Sequence, residues 1–101
     1  MFVYNVTIKV SKEIQAAWLL WLQKEHIPEV LSTSCFIDAS VYRLLEVDDS
    51  EGPTYSVQYK AESKAQYNLY IEQHAAALRQ KSFEKWGDRF IAFRSLLQAV
   101  D

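Results

Sequence analysis

The sequence has little of the residue types that mark disordered, secreted or membrane-spanning chains. Its 101 residues include only two glycines and two prolines, which excludes a low-complexity or disordered polypeptide. The only cysteine, Cys35, excludes a disulfide within the chain and agrees with a reducing compartment. The start lacks the basic region and apolar run of a signal peptide, and no stretch approaches the roughly 20 apolar residues of a membrane span. These absences predict a cytoplasmic protein without a membrane segment.

Charge and motif patterns exclude several further classes of function. The formal net charge is −2, and the basic residues are scattered, so the chain lacks the basic stripe expected of a nucleic-acid-binding protein. Two isolated histidines and one cysteine provide no HxxxH or CxxC spacing, which predicts no metal site. Two glycines are too few for a phosphate-binding loop. We therefore expect no metal and no cofactor.

Apolar and aromatic residues are abundant. Half of the residues are hydrophobic, and three tryptophans, six tyrosines and five phenylalanines form a heavy aromatic load for this length. A chain of this length predicts one domain, residues 1–101, that buries about two-thirds of its unfolded surface. The rings are expected to fill the core or to line a cleft or a subunit interface.

The stretch from Trp18 to Pro28 is the strongest helical signal. Ser11 is a candidate N-cap, and the apolar residues that follow, including Trp18, Trp21 and Leu22, recur at helical spacing. Pro28 disfavours helical geometry at the residue before it, so the regular helix is predicted to end near residues 25–26, with at most an irregular turn beyond. This places His26 at the end of the first helix.

The remaining elements follow in a clear order. Alternating residues predict strands at 2–10, 35–47, Thr54–Ala61 and Arg89–Leu97, with an acidic turn at 48–53. Ser63 begins a capping-box pattern before a second helix, and Gly87 is a candidate C-cap after an added turn. The order β-α-β-β-α-β predicts an α+β, ferredoxin-like fold, a four-stranded antiparallel sheet with both helices on one face.

Strand parity then predicts which residues face the helices. The predicted helix side comprises Phe2, Tyr4, Val6, Ile8, Ile37, Ala39, Val41, Tyr55, Val57, Tyr59, Ile91 and Phe93. The predicted open side comprises Val3, Asn5, Thr7, Phe36, Asp38, Ser40, Tyr42, Ser56, Gln58, Ala92 and Arg94. The open side is either a wet, polar surface or the inside of a barrel formed by two subunits.

Four segments carry a resemblance to a known family. Tyr4-Asn-Val-Thr-Ile8, the Trp18…Trp21…His26-Ile-Pro28 segment, Tyr55-Ser-Val-Gln-Tyr59 and Gly87-Asp-Arg-Phe-Ile-Ala-Phe-Arg94 resemble a bacterial family of roughly hundred-residue domains of unknown function. The fold-level similarity extends to dimeric α/β-barrel proteins, which include antibiotic-biosynthesis-type monooxygenases, muconolactone-isomerase-like proteins and stress-responsive barrels. The resemblance implies a homodimeric α/β barrel and leaves the chemistry open.

Two candidate sites emerge from the sequence. Asn5, Tyr42, Gln58 and Arg94 share the predicted open side, where they are expected either to bind a small polar or anionic ligand or to form a structural network. A buried Arg94 needs an anionic partner, either a carboxylate or the ligand. His26 is a candidate general base. The sequence favours a histidine that caps the helix end or pairs with Glu25 or Glu29, because no second catalytic group can be placed beside it.

Three functions fit these observations. The first is a homodimer that binds a small molecule on the non-helical face of the sheet. The second is a cofactor-independent enzyme, similar to monooxygenases or isomerases, that uses His26 as its base. The third is a structural interaction domain whose exposed apolar residues, such as Leu19 and Leu20, serve assembly.

Overall fold

The computed structural model describes residues 1–100, so Asp101, the last residue of the predicted domain, lies outside the described part. The strands are β1 (Phe2–Val10), β2 (Asp38–Arg43), β3 (Thr54–Ala61) and β4 (Phe90–Gln98). The helices are α1 (Gln15–Trp21), α2 (Ile27–Leu31), α3 (Lys64–Gln73) and α4 (Ala75–Trp86), and a π-helical turn, Leu22–His26, joins α1 to α2.

The strands form one antiparallel sheet in the order β2-β3-β1-β4. Side chains from the helices, such as Trp18, Leu22 and Leu78, share one buried cluster with Tyr4 and Val57 of the central strands. The alternation of buried residues in β1 and β3 matches this one-sided covering. The predicted ferredoxin-like α+β fold is therefore confirmed.

The first helix does not end before Pro28. The Ile27 N–H donates to the Leu22 carbonyl, five residues earlier, so the helix widens immediately before the proline. Pro28 has no N–H to donate and occupies the first turn of α2, where this loss is tolerated. The helical path consequently continues to Leu31. The predicted N-cap at Ser11 is also wrong, because α1 begins at Gln15 without a side-chain cap.

The second helix is divided where the sequence predicted one helix and an added turn. Ser63 caps α3 as predicted, since its hydroxyl oxygen accepts a hydrogen bond of 3.2 Å from the Gln66 N–H. The backbone leaves helical geometry at His74, and α4 then runs to Trp86. Gly87 follows with a φ of 62°, a conformation that favours glycine, and ends the helix as predicted.

The second strand is shorter than predicted, and the residues before it are inverted. Strand β2 covers only Asp38–Arg43. Phe36 is buried against the core, with its ring 4.9 Å from that of Tyr70 and 5.4 Å from that of Tyr59. Ile37 is 55% exposed. The faces predicted from strand alternation are wrong for Phe36 and Ile37, because both residues precede the strand, where strict alternation does not hold.

The face assignment of β4 is also wrong. The register places Ala92 opposite Ile8 and Arg94 opposite Val6, so Ala92 and Arg94 lie on the helix side. Ile91 and Phe93 lie on the other side and are 59% and 71% exposed. β4 is an edge strand with apolar residues on both faces, so its own alternation does not indicate which face is buried.

Candidate ligand-binding site

The open face of the sheet carries a polar network at its centre. The Ser56 hydroxyl donates to Asn5 Oδ1 at 2.6 Å, and Asn5 Nδ2 donates to Thr7 Oγ1 at 3.0 Å and, more weakly, to Ser95 Oγ at 3.4 Å. Gln58 Nε2 donates to Ser56 Oγ at 3.4 Å. Asn5 therefore joins three strands, and its amide is engaged by protein groups.

The predicted four-residue site is divided between the two faces of the sheet. Asn5, Gln58 and Tyr42 lie on the open face as predicted, because Asn5 pairs with Gln58 and Tyr42 pairs with Ser56 in the register. Arg94 lies on the helix side, so the prediction that it shares a face with the other three is wrong. Arg94 is therefore not available to a ligand on the open face, where Lys9 and Lys60 are the basic residues of β1 and β3.

Exposed apolar side chains border the polar network. Tyr42 on β2 is 54% exposed, and Ile91, Phe93 and Leu97 lie at every second or fourth position along β4. Leu97 is 45% exposed, and Phe93 is the most exposed of the four. An edge strand with such a row is an unfavourable surface in water unless another surface covers it.

A cavity lies on the other side of the sheet, between the strands and the helices. It has about 600 Å³ of empty space, a volume that includes the open solvent at its mouth. Its walls come from β1, β3, β4, the first helical segment, α3 and α4. The lining residues are Tyr4, Val6, Ile8, Trp18, Trp21, Leu22, His26, Val57, Tyr59, Tyr70, Leu78, Arg79, Ser82, Phe90, Ala92 and Arg94.

The cavity carries positive charge and no negative charge. Arg79 and Arg94 line it, and none of the lining residues is acidic. The two salt bridges among residues 1–100 join Arg43 to Asp49 and Lys81 to Glu29, so neither cavity arginine has a carboxylate partner. An Arg79 nitrogen donates to the Tyr4 hydroxyl at 3.1 Å, which orients this guanidinium at the cavity wall.

His26 reaches this cavity from the π-helical turn. Its ring stacks on that of Trp21 at a centroid distance of 4.7 Å, and Trp21 in turn meets the edge of Trp86 at 5.8 Å. Burial lowers the pKa of His26 to about 4, although the nearby Glu29 carboxylate acts in the opposite direction. The imidazole is therefore neutral at pH 7. π-Helical turns are frequent at functional sites, and this one fixes the position of His26.

Three tyrosines complete one wall of the cavity. Tyr4 lies 6.0 Å from Tyr59 and 5.7 Å from Tyr70, measured between ring centroids. Burial raises the pKa of both Tyr59 and Tyr70 far above the usual value. Arg79 and Arg94 partly oppose the increase at Tyr70, which places both guanidinium charges near its hydroxyl. Tyr59 and Tyr70 therefore remain protonated at neutral pH.

Sequence reasoning missed Arg79 and the tyrosine wall as parts of a site. Arg79 is an exposed position on a helix and gives no signal that separates it from other surface arginines. Tyr4 and Tyr59 were assigned to the helix side, which is correct, but were not singled out as parts of a site. The paired strands β1 and β3 contain a signal for the wall, because Tyr4 and Tyr59 are direct partners in the register.

Other kinds of site find little support in the described part of the chain. Residues 1–100 contain no group of three or more His, Cys, Asp or Glu side chains placed to hold a metal ion. No helix within the same residues has the length and apolarity required to cross a membrane. Cys35 is free and buried, in agreement with its interpretation as a small apolar core residue.

Comparison with known protein families identifies the family of this chain. Residues 1–100 match the family described as "Domain of unknown function (DUF4286)". The chain belongs to the DUF4286 family. The predicted resemblance to a family of roughly hundred-residue domains of unknown function is confirmed. No curated protein matches the sequence.

Solved structures of similar fold cover nearly all of the chain. HapK from Hahella chejuensis matches with a TM-score of 0.71 at 13% identity, covering 99% of this chain and 93% of HapK. A dimeric ferredoxin-like protein from an uncultured marine organism matches with a TM-score of 0.69 at 13% identity, covering 99% and 95%. The monooxygenase from the ActVA-Orf6 gene of Streptomyces coelicolor, solved with nanaomycin D, matches with a TM-score of 0.60 at 13% identity, covering 99% and 89%. At this identity the likeness establishes the fold alone.

Proposed function

We propose that this protein is a homodimer that binds a small, planar, anionic ligand in the cavity between the helices and the sheet. The observation that carries the proposal is the pair of guanidinium groups, Arg79 and Arg94, that line a cavity without any acidic side chain. Two cations that have no carboxylate partner among residues 1–100 favour an anion, because guanidinium binds carboxylate and phosphate through short, charge-assisted hydrogen bonds.

The shape of the ligand follows from the cavity walls. Tyr4, Tyr59 and Tyr70 lie along one side of the cavity. Trp18 and Trp21 line it from the first helical segment. Flat aromatic side chains favour planar, apolar ligand surfaces, with the few polar groups fixing the orientation. Both arginines remain exposed to solvent, which places the anionic end of the ligand toward the cavity opening.

We expect Arg94→Gln to weaken binding of a planar carboxylate, with benzoate and 2-naphthoate as probes, by about tenfold or more. The substitution removes a charged donor while keeping a long polar side chain, and a hydrogen bond to a charged group contributes about 1.5–3 kcal/mol. Because Trp18 and Trp21 line the cavity, quenching of tryptophan fluorescence measures the dissociation constant.

Arg89→Gln is the matched control, because Arg89 lies just before the same strand and does not line this cavity. It should leave the dissociation constants of both probes unchanged. Equal affinities in the native protein and in Arg94→Gln would contradict the assignment of the cavity as an anion site.

The homodimer is proposed to form through the open face of the sheet. Its exposed apolar residues, above all Phe93 and Ile91, lie on the face that the helices leave uncovered. Two copies paired through this face would cover these side chains and the Asn5 network together, giving the α/β barrel. A similar fold occurs in a protein described as dimeric, which supports the same arrangement here. The role of Asn5, Gln58 and Tyr42 then lies at this interface.

Phe93→Asp is expected to convert the dimer into a monomer, because it places a charge among the apolar side chains of the proposed interface. Light scattering should give twice the 11.8 kDa chain mass for the native protein and the single chain mass for the variant. Leu20→Asp is the control, since Leu20 is 58% exposed on α1, away from the open face. A native protein that is monomeric at micromolar concentration would overturn the homodimer, and dissociation by Leu20→Asp alone would place the interface on the helices.

A cofactor-independent enzyme of monooxygenase or isomerase type is the second candidate. The observation in its favour is that His26 is half-buried and lines the cavity, where a substrate would meet it. A pKa of about 4 makes His26 a weak base at neutral pH, well below the value that suits proton abstraction. Binding is therefore the better-supported function. A cytoplasmic location remains a prediction that agrees with the free, buried Cys35.

A further inference from the structure

His26 lines the cavity, and the proposed anion site does not use its imidazole. Burial and the Glu29 charge act on the ionisation of His26, and no hydrogen bond to its ring contributes. The ring is held by its stacking on Trp21 at 4.7 Å and by the π-helical turn that contains it. The protein therefore fixes an unpaired imidazole at the wall of the cavity.

A neutral imidazole has one donor nitrogen and one acceptor nitrogen. Water enters the opening of the cavity when it is empty, but a ligand that fills the cavity displaces this water. A bound ligand without a donor group would then leave the acceptor nitrogen of His26 desolvated and unpaired, which weakens binding. A cationic donor on the ligand is disfavoured, because Arg79 and Arg94 line the same cavity. A neutral hydroxyl group can donate to His26 without adding a positive charge beside the two arginines.

We propose that the ligand is a planar oxyanion that also carries a hydroxyl group, with the oxyanion bound by Arg79 and Arg94 and the hydroxyl donating to His26. This inference rests on the proposed anion-binding function and adds the second polar group that defines the ligand class. The two contacts at separate points of the cavity orient the planar skeleton between the aromatic walls. His26 thereby distinguishes hydroxylated anions from unsubstituted ones of similar size.

The test compares each unsubstituted probe with its hydroxylated counterparts on the native protein. The panel consists of benzoate with its ortho, meta and para hydroxy derivatives, and 2-naphthoate with 3-hydroxy- and 6-hydroxy-2-naphthoate. At least one hydroxylated isomer should bind about tenfold more tightly than its parent, as measured by calorimetry or by tryptophan quenching. The best isomer reports the distance between the arginine pair and His26.

His26→Phe keeps a flat ring on Trp21 and removes both nitrogens. In this variant the affinity of the preferred hydroxylated probe should fall to that of its parent, whereas the affinity of the parent should not change. A purely structural role for His26 would instead alter both affinities together. In Arg94→Gln, by contrast, both probes should weaken.

The outcomes separate this inference from the proposed function. Parents and hydroxylated probes that bind equally well would overturn the hydroxyl contact and leave the anion site standing. A preference for a hydroxylated isomer that persists in His26→Phe would also overturn it. A failure of every probe to bind would overturn the proposed anion site itself.

Discussion

Replacement of Trp18 by alanine should lower the free energy of unfolding by about 3–5 kcal/mol, the usual range for a buried tryptophan. Trp18 is 2% exposed, and its ring lies 5.5 Å from that of Tyr55 in a stacked arrangement. The substitution removes this contact and opens a cavity that the backbones of β3 and the first helix cannot close by a small shift. Domains of this size have a total stability of about 5–15 kcal/mol, so much of the protein is expected to unfold on mild warming.

The measurement is urea unfolding followed by far-ultraviolet circular dichroism, which does not depend on the deleted fluorophore. Leu20→Ala is the control, because Leu20 lies two residues away in the same helix and is 58% exposed. Its effect should stay within about 0.5 kcal/mol. A loss below about 1 kcal/mol for Trp18→Ala would contradict the assignment of Trp18 as the contact that joins the first helix to the sheet.

Lowering the pH from 7 to 5 should reduce the free energy of unfolding by about 2 kcal/mol through His26 alone. The pKa of His26 is about 4 in the folded protein and 6.5 in the unfolded chain. At pH 7 both states hold a neutral imidazole, so the histidine does not affect stability. Below pH 6.5 the unfolded chain binds a proton that the folded protein does not, which favours unfolding by about 1.4 kcal/mol per pH unit until the pH approaches 4.

Urea unfolding at pH 7, 6 and 5 measures this loss above the range in which most carboxylates titrate. His26→Phe should remove the dependence, since the protonation difference between the two states disappears with the imidazole. His74→Phe, which leaves His26 in place, should retain it. A pH dependence in His26→Phe equal to that of the native protein would mean that another group is responsible, and would weaken the description of His26 as a desolvated cavity residue.

The stability losses predicted for Trp18→Ala and for the lowered pH concern the same region of the molecule. Trp18 and His26 belong to one helical path, and both line the cavity. The path keeps its helical course past Pro28 only because the π-helical turn widens it, and the same turn carries His26. The buried Trp18 and the desolvated His26 therefore lie within nine residues of each other. Ligand affinity and stability should both respond to changes in this segment.

The sequence determined the fold because its strongest patterns lie in central elements. Strand β1 pairs on both sides, and its alternation of Tyr4, Val6 and Ile8 with polar residues has one interpretation, since only one of its faces is apolar throughout. The spacing of Trp18 and Leu22 likewise predicts a helix that packs by one face. The signals that begin or end a helix lie within a few residues, so they could be recognised in the sequence at Ser63 and Gly87.

The site depended on the tertiary structure. Arg94 was placed on the wrong face because β4 carries apolar residues on both of its faces, and only the register with β1 decides which side is covered. Arg79 gives no local signal, because its role arises from the packing of α4 beside Tyr4 and not from its neighbours in the chain. The open face, where the sequence predicted the ligand, retains Asn5 and Gln58 but not Arg94.

What the sequence determined by itself was the set of elements, their order and most of the core, since these depend on periodicity and on signals within a few residues. Only the tertiary structure decided which charged and ionisable side chains lie at the same cavity. Arg79, Arg94 and His26 come from three separate elements and reach one cavity only when the helices cover the sheet. The physical reason is that electrostatic environment and burial depend on distance through space, and local sequence patterns do not reveal the register that sets those distances.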